Sequence, residues 1–232
     1  MNELLFVLTV LLCLTGVLVV YKLFGKNGLY IFTVFATLLG NIAVCKCMTL
    51  WGFSATGGNI LYASTFLITD ILSEKYGKKE AKNAVKYSFA AMIMWIIGTQ
   101  IILLFAPSGD DMVNDSLKQL FSFVPRITLA SICGFFCSQN IDLFLYHMFW
   151  KKTGAGSKFL WLRNNCSTLI SQLVDTAIFT TIAFAGSYEK STFLSIMFTT
   201  YFFKALVAIM DTPFIYIACK IKPIEEKKCE EQ

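Results

Sequence analysis

The stretch FLITDILSEKYGKKEAKNAV (residues 66–85) begins as an apolar run and ends as a lysine-rich one. Between the two halves stand Asp70 and Glu74, four residues apart and so on one face of a helix. An apolar run that gives way to lysines is how a membrane-spanning helix leaves the bilayer on its basic side. Two carboxylates on one face at that boundary are harder to place, and the rest of the chain supplies their setting.

The composition is that of a membrane protein. A soluble domain carries about a quarter charged residues, whereas this chain of 232 residues has 15% charged and 56% hydrophobic, with mean hydropathy +0.63. A spanning helix takes roughly 20 apolar residues, so the chain has room for six or seven. The expected fold is therefore an all-α integral membrane protein, a bundle of six to seven transmembrane helices in one polytopic domain, 1–232. The net charge of +5 sits in lysine blocks beside apolar segments, without interleaved aromatics. That arrangement speaks for topology and against nucleic acid.

Seven segments emerge, at about 4–24, 28–48, 59–74, 85–105, 125–148, 165–186 and 193–219. The first lacks a preceding basic stretch and an A-x-A site and is followed by lysines, so it reads as a helix of the mature chain rather than a signal peptide. Basic residues follow alternate segments: Lys22 and Lys26, then Lys75, Lys78, Lys79, Lys82 and Lys86, then Lys151, Lys152, Lys158 and Arg163, then Lys220, Lys222, Lys227 and Lys228. The other loops hold scattered bases such as Lys118, Arg126 and Lys190, and the acidic SGDDMVND (108–115). This bias predicts a multi-pass protein of the inner (plasma) membrane, with its N-terminus outside and its C-terminus cytoplasmic. The third segment is the weakest, because Asn59 to Leu72 gives only 14 residues before charge dominates. It is expected to cross, either tilted and lengthened by SATGG (54–58) or partly re-entrant.

Polar groups at bilayer depth are costly and turn towards a cavity or a partner. The sixth segment holds NNCSTLISQLVDTAIF (164–179), in which Asn164, Thr168, Ser171 and Asp175 recur on one side and Gln172 and Thr176 widen the stripe. The fifth holds CSQNIDLFLYH (137–147), where Ser138, Gln139 and Asp142 repeat the S-Q-x-x-D spacing of Ser171, Gln172 and Asp175. Two neighbouring helices could so present matching amides and carboxylates to one cavity, although hydroxyls and amides also bond helices together. In the seventh, Thr200, Lys204, Ala208 and Asp211 share a face. A buried Lys204 needs a carboxylate or several carbonyls, with Asp142 and Asp175 as the candidate carboxylates. Pro213 leaves a carbonyl free one turn back and is read as a kink or hinge. Asn41 lies within the second segment, Lys46 can reach water at its end, and His147 reads as interfacial.

Most of the eight cysteines (Cys13, Cys45, Cys47, Cys133, Cys137, Cys166, Cys219 and Cys229) lie in apolar segments, and His147 is the only histidine. No metal site and no cofactor are expected. Without H-E-x-x-H, with no evident base near Ser167 and no Walker A motif, the chain does not read as an enzyme or an ATPase. What remains is a solute pathway with a binding site at depth.

FLITDILSEKYGKKEA, CSQNIDLFLYH, RNNCSTLISQLVDTAIF and YFFKALVAI, in this order, resemble signature segments of the YhhQ family of queuosine precursor transporters, also called the vitamin uptake transporter family. The resemblance runs from about Gly28 to Ile217 and leaves the first segment outside a six-helix core. It implies uptake of a deazaguanine base such as preQ0, preQ1 or queuine for tRNA modification. The implied site residues are Asp70, Glu74, Gln139, Asp142, Ser167, Gln172, Asp175 and Lys204. Asn41, Gln139, Asn164, Gln172, Tyr62 and Phe66 match the amide edges and flat ring of such a base in chemical type, and Thr176 on the polar stripe joins the candidate site residues. An aminomethyl precursor would add a cation, with Asp142 or Asp175 as its partner. Asp70 and Glu74, near Lys75, Lys78 and Lys79, are then read as a charged latch at the inner gate or as receivers of a coupling proton. The implied partners are a small nucleobase-like substrate and the lipid bilayer, with no nucleic acid and with a homodimer as an allowed assembly. The alternative is a substrate-binding membrane subunit of an energy-coupling vitamin importer.

Overall fold

The computed structural model describes residues 1–122, 124–154, 159–186 and 189–224. Lys158, Lys227, Lys228 and Cys229, and the side chains of Cys47 and Tyr62, lie outside them. The elements run α1 (Asn2–Ala43), β1 (Cys47–Leu50), β2 (Phe53–Thr56), α2 (Gly58–Tyr76), α3 (Lys78–Leu104), α4 (Asn114–Ser122), α5 (Val124–Thr153), α6 (Leu160–Phe184) and α7 (Lys190–Lys220). Five of these helices, α1, α3, α5, α6 and α7, are long and apolar enough to cross a bilayer.

Helix α1 is folded double. A straight helix of its 42 residues would be roughly 63 Å long. Yet Asn2 Nδ2 donates to Thr49 O (3.2 Å), and Trp51 N donates to Glu3 Oε1 (3.2 Å). The reversal falls at Gly25, whose φ of 53° and ψ of −138° lie where only glycine sits without strain. The arms 2–24 and 26–43 are therefore the first two expected segments. The second expected segment is corrected at its end, because the helix stops at Ala43 and residues 47–56 form an antiparallel hairpin. Its two-residue turn, Trp51 (φ 49°) and Gly52 (φ 82°), has the positive φ pair of a type I′ turn, which suits the strand twist. Trp51 stacks on Phe203 of α7 (5.9 Å, 22°), so the hairpin folds over the bundle.

The exterior is apolar and the interior partly polar. Leu8, Leu12, Ile31, Phe35, Ile97, Phe144, Leu173, Phe198 and Ile209 are exposed, while Thr65, Thr69, Asp70, Ser138, Asn164, Ser171 and Thr176 are buried. Such a surface requires lipid around it. Helix α2 explains why the third segment looked weak. Every residue from Ser64 to Ser73 is buried, because α1, α3, α5 and α7 all pack on α2. A helix enclosed by protein needs no apolar outer face. It is 19 residues long, about 28 Å, close to the ~30 Å of a hydrocarbon core.

The lysine blocks gather at one end of the bundle. There Lys26 pairs with Glu80 (3.4 Å) and Lys75 donates to Ile221 O (3.4 Å). At the other end Arg126 donates to Ile182 O and Ala185 O (2.8 Å each), tying the start of α5 to the last carbonyls of α6. The later helices begin earlier than expected: α3 at Lys78, α6 at Leu160 and α7 at Lys190. Helix α4, in the acidic loop, and the hairpin were not expected at all. Helix α7 continues through Pro213 without ending.

Candidate functional site

Helices α5 and α6 form the most extensive pair in the bundle, and their S-Q-x-x-D motifs explain how they are joined. Ser171 donates to Asp142 Oδ1 (3.0 Å) and Ser138 donates to Asp175 Oδ1 (3.4 Å). Each motif's serine serves the other motif's aspartate, a reciprocal clasp. The clasp is the helix-to-helix bonding by hydroxyls that the sequence left open beside a shared cavity. Gly134 lets the helices close at Asp175, since a Cβ there would lie 2.8 Å from Asp175 Oδ1.

The two halves of the clasp differ in charge. Asp175 Oδ2 forms a buried ion pair with Lys204 of α7, one of the two partners expected for that lysine, and Lys204 also lies 6.0 Å from the Phe179 ring. Asp142 instead faces Asp70 of α2, and Asp70 also lies within electrostatic range of Asp211 and Glu74. The hydroxyls of Ser167 and Thr168 turn towards Asp142 as well. Asn164 Nδ2 donates to Asp211 Oδ1 (2.7 Å). Among the described residues no donor reaches either oxygen of Asp70, Asp142 Oδ2, Asp211 Oδ2 or Asn164 Oδ1, and both amide atoms of Gln172 are likewise unpartnered. All of these residues are buried. An unpaired buried polar group is expensive, and here several converge between α2, α5, α6 and α7.

Towards the lysine-rich end a second layer closes over this cluster. Arg163, fully buried, places Nη2 3.0 Å from both Glu74 oxygens. Tyr146 donates to Glu74 Oε2 (2.8 Å), and Arg163 Nη1 donates to Gly154 O (2.9 Å). The guanidinium also lies 5.0 Å from the Trp150 ring, a cation–π contact. Glu74, which stands near Lys75, Lys78 and Lys79 in the sequence, is held by Arg163. Asp70, one turn before Glu74, is fully buried at 0% exposed.

The structure thus brings Asp70, Asp142, Asn164 and Ser167 together, with Gln172 one turn beyond Thr168 on α6. Glu74 forms the adjoining layer, and Asp175 and Lys204 form a pair on the other half of the clasp. Gln139 is engaged by α2: its Nε2 donates to Thr65 Oγ1 (3.1 Å) and its Oε1 accepts from Thr69 (3.3 Å). Thr176 bonds to Gln172 O and Asn41 to Thr37 O, each within its own helix. Phe66 is buried in α2. Sequence reading missed Arg163, Tyr146 and the acceptor role of Asp211. Arg163 falls among the loop cations when the sixth segment begins at 165. The signal was its place directly before the polar stripe.

No group of metal-ligating side chains is found among the described residues. A groove of about 310 Å³ opens between α3 and α5, lined by Lys82, Lys86, Phe89, Phe136 and Asn140. It contains none of the site residues, and its lysines give it the opposite charge.

A lipid-facing helical bundle that encloses unpaired polar groups at depth defines a class, that of multi-pass membrane transporters. The comparisons with known proteins supply the family. The vitamin uptake transporter family matches residues 56–218. The "Probable queuosine precursor transporter" of Bacillus subtilis is 40% identical over 211 residues, covering 91% of this chain and 92% of that protein. The "Queuosine precursor transporter" of Escherichia coli is 27% identical over 173 residues, covering 73% and 75%. No solved structure matches the chain. The chain belongs to the vitamin uptake transporter family.

Proposed function

We propose that this protein imports a queuosine precursor, a deazaguanine base, across the plasma membrane for use in tRNA modification. The observation that carries the reading is the set of unpartnered buried groups of Asp70, Asp142, Asp211, Asn164 and Gln172. A guanine-like base has an amide and amino edge rich in N–H donors, and carboxylates and amide oxygens are their natural acceptors. The ligand binds among α2, α5, α6 and α7, and Glu74 with Arg163 and Tyr146 closes the way to the lysine-rich end. Asp175 and Lys204 serve the movement rather than the base, since each already holds the other. The lysine-rich end faces the cytoplasm and the N-terminus lies outside, following the basic bias of the loops. The base is carried unchanged, as expected of a transporter and not of an enzyme.

The test is uptake of labelled base by cells that cannot make the precursor, repeated in vesicles containing this protein alone. Accumulation of the unaltered base in both supports the reading. Uptake in cells but not in vesicles would favour a subunit that needs an ATP-driven partner. No uptake of any deazaguanine in either setting refutes the proposal.

A further inference from the structure

The groove between α3 and α5 changes polarity along its length. From α3 it is lined by Lys82, Val85, Lys86 and Phe89, and from α5 by Phe136 and Asn140. Lys82 and Lys86 are one turn apart, and Phe89, seven residues after Lys82, returns to the same side of the helix. Lys82 and Phe89 are thus separated by about 10 Å along the axis. The Phe89 and Phe136 rings meet (5.5 Å, 50°) at the end of the groove away from the lysines. At about 310 Å³ the groove is at the lower limit of the ~300–1,000 Å³ of small-molecule sites, enough to seat one part of a long molecule.

Its positive charge is not balanced from within the protein. Among the described residues neither Lys82 nor Lys86 has an ion-pair partner. Glu80 is held by Lys26 and Tyr30, and Glu74 by Arg163. More cations gather at the same end, since Lys78, Lys82 and Lys151 all lie within electrostatic range of His147 on α5. Asn140 is the second unusual group. It stands on the outer side of α5 between Phe136 and Phe144, which are 50% and 61% exposed, where an amide is costly against hydrocarbon. It gives one N–H to Phe136 O (2.7 Å), which leaves its other N–H and its carbonyl oxygen for a ligand. Marking the cytoplasmic end of a helix takes lysines anywhere around it. It does not call for two of them in line with an amide and two phenylalanines along one groove.

We propose that this groove binds one anionic phospholipid, with the phosphate between Lys82 and Lys86, the ester region at Asn140 and an acyl chain along Phe89 and Phe136. The chemistry agrees from end to end: cations for the phosphodiester, an amide N–H for an ester carbonyl, and aromatic rings for the chain. A soluble phosphate would engage the lysines alone and leave the amide and the rings against hydrocarbon. The site is separate from the polar cluster of α2, α5, α6 and α7, so it stands whatever solute the protein carries.

Native mass spectrometry of the full chain in detergent tests it, with phosphatidylglycerol and phosphatidylcholine of identical chains as the titrants. The unaltered protein is expected to retain one phosphatidylglycerol in clear preference to phosphatidylcholine. Lys82→Gln or Lys86→Gln should weaken that binding about fivefold, and the two together roughly twentyfold. Lys22→Gln with Lys152→Gln removes the same charge from the same end but outside the groove, and should leave binding nearly unchanged. All four lysines are exposed, so both double variants are expected to fold, which an unchanged Tm verifies. Equal retention of the two lipids by the unaltered protein overturns the proposal. A preference that survives loss of both groove lysines does so too. Equal weakening by the two double variants would assign the preference to diffuse surface charge and refute the groove. Displacement of phosphatidylglycerol by glycerol phosphate at matching concentration would make this a site for a soluble phosphate and refute the lipid. The comparison of lipids on the unaltered protein decides the matter even where a variant does not fold.

Discussion

Lys204 and Asp175 offer the most direct test of how the polar interior divides into brace and binding site. Lys204 is 5% exposed and Asp175 8%, and each is the other's charged partner. With Lys204→Met, Asp175 keeps only the 3.4 Å bond from Ser138, and its charge is left buried. Removing one member of a buried pair costs about 3–5 kcal/mol. In a chain of this size that corresponds to a fall of roughly 6–20 °C in Tm. Asp175→Asn has the reverse effect, leaving the lysine against the Phe179 ring. The double variant removes both charges together, and such replacements are often neutral in stability.

The assay is thermal unfolding in detergent, with equilibrium binding of the base measured on the same preparations. Both single variants are expected to melt well below the unaltered protein, and the double variant to return close to it with ligand binding intact. Single variants that melt within about 2 °C of the unaltered protein, less than 1 kcal/mol in a chain of this size, would refute the claim that the pair is buried and mutually dependent. A double variant that is stable but no longer binds would place Asp175 or Lys204 against the ligand and refute the division drawn above.

Three further outcomes follow from the geometry. Gly134→Ala puts a Cβ 2.8 Å from Asp175 Oδ1, and the enforced separation of α5 and α6 should cost about 1–3 kcal/mol, read as a lowered Tm. Arg163→Gln takes the cation from Glu74 and should destabilise by about 3 kcal/mol or more. It should also speed thiol labelling of a Ser167→Cys variant from the lysine-rich side, and unchanged labelling would show that this layer is no barrier. In a cysteine-free background, a thiol placed in SGDDMVND (108–115) should react with an impermeant reagent from outside and one in KKTGAGSK (151–158) should not, whereas equal reaction would refute the orientation.

The polar stripes were legible because charge and hydroxyls at bilayer depth stand out against an apolar background. Asp175 with Lys204, and the buried stripe of Asn164, Thr168, Ser171, Gln172 and Thr176, lie where helical spacing put them. Hydropathy misled at α2, since it measures preference for lipid and α2 touches protein on all sides. The segment that looked weakest, expected to cross although short, is the one the others surround. Arg163 was illegible for a related reason. A cation near a helix start reads as a loop residue until the cap is located, and no side chain caps α6 at Phe159. The hairpin at 47–56 and the crossing of the two S-Q-x-x-D motifs depend on how helices pack. Spacing along one helix does not report that.

The two carboxylates one turn apart on α2 occupy two different settings on one rigid rod. Asp70 belongs to the unpaired cluster, and Glu74, the next turn, belongs to the layer that closes it. The same relation holds on the neighbouring helices. Asp142 in the cluster and Tyr146 in the closing layer are one turn apart on α5, while Asn164 and Arg163 are adjacent on α6. Within a helix such neighbours cannot move independently, because the backbone fixes their separation. A ligand that drew Asp70 and Asp142 together would therefore act on Glu74, Tyr146 and Arg163 through the three helices that carry both sets. It can shift the closing layer only by as much as its contacts with the cluster differ between closed and open arrangements, and unpaired buried carboxylates are the groups for which that difference is largest.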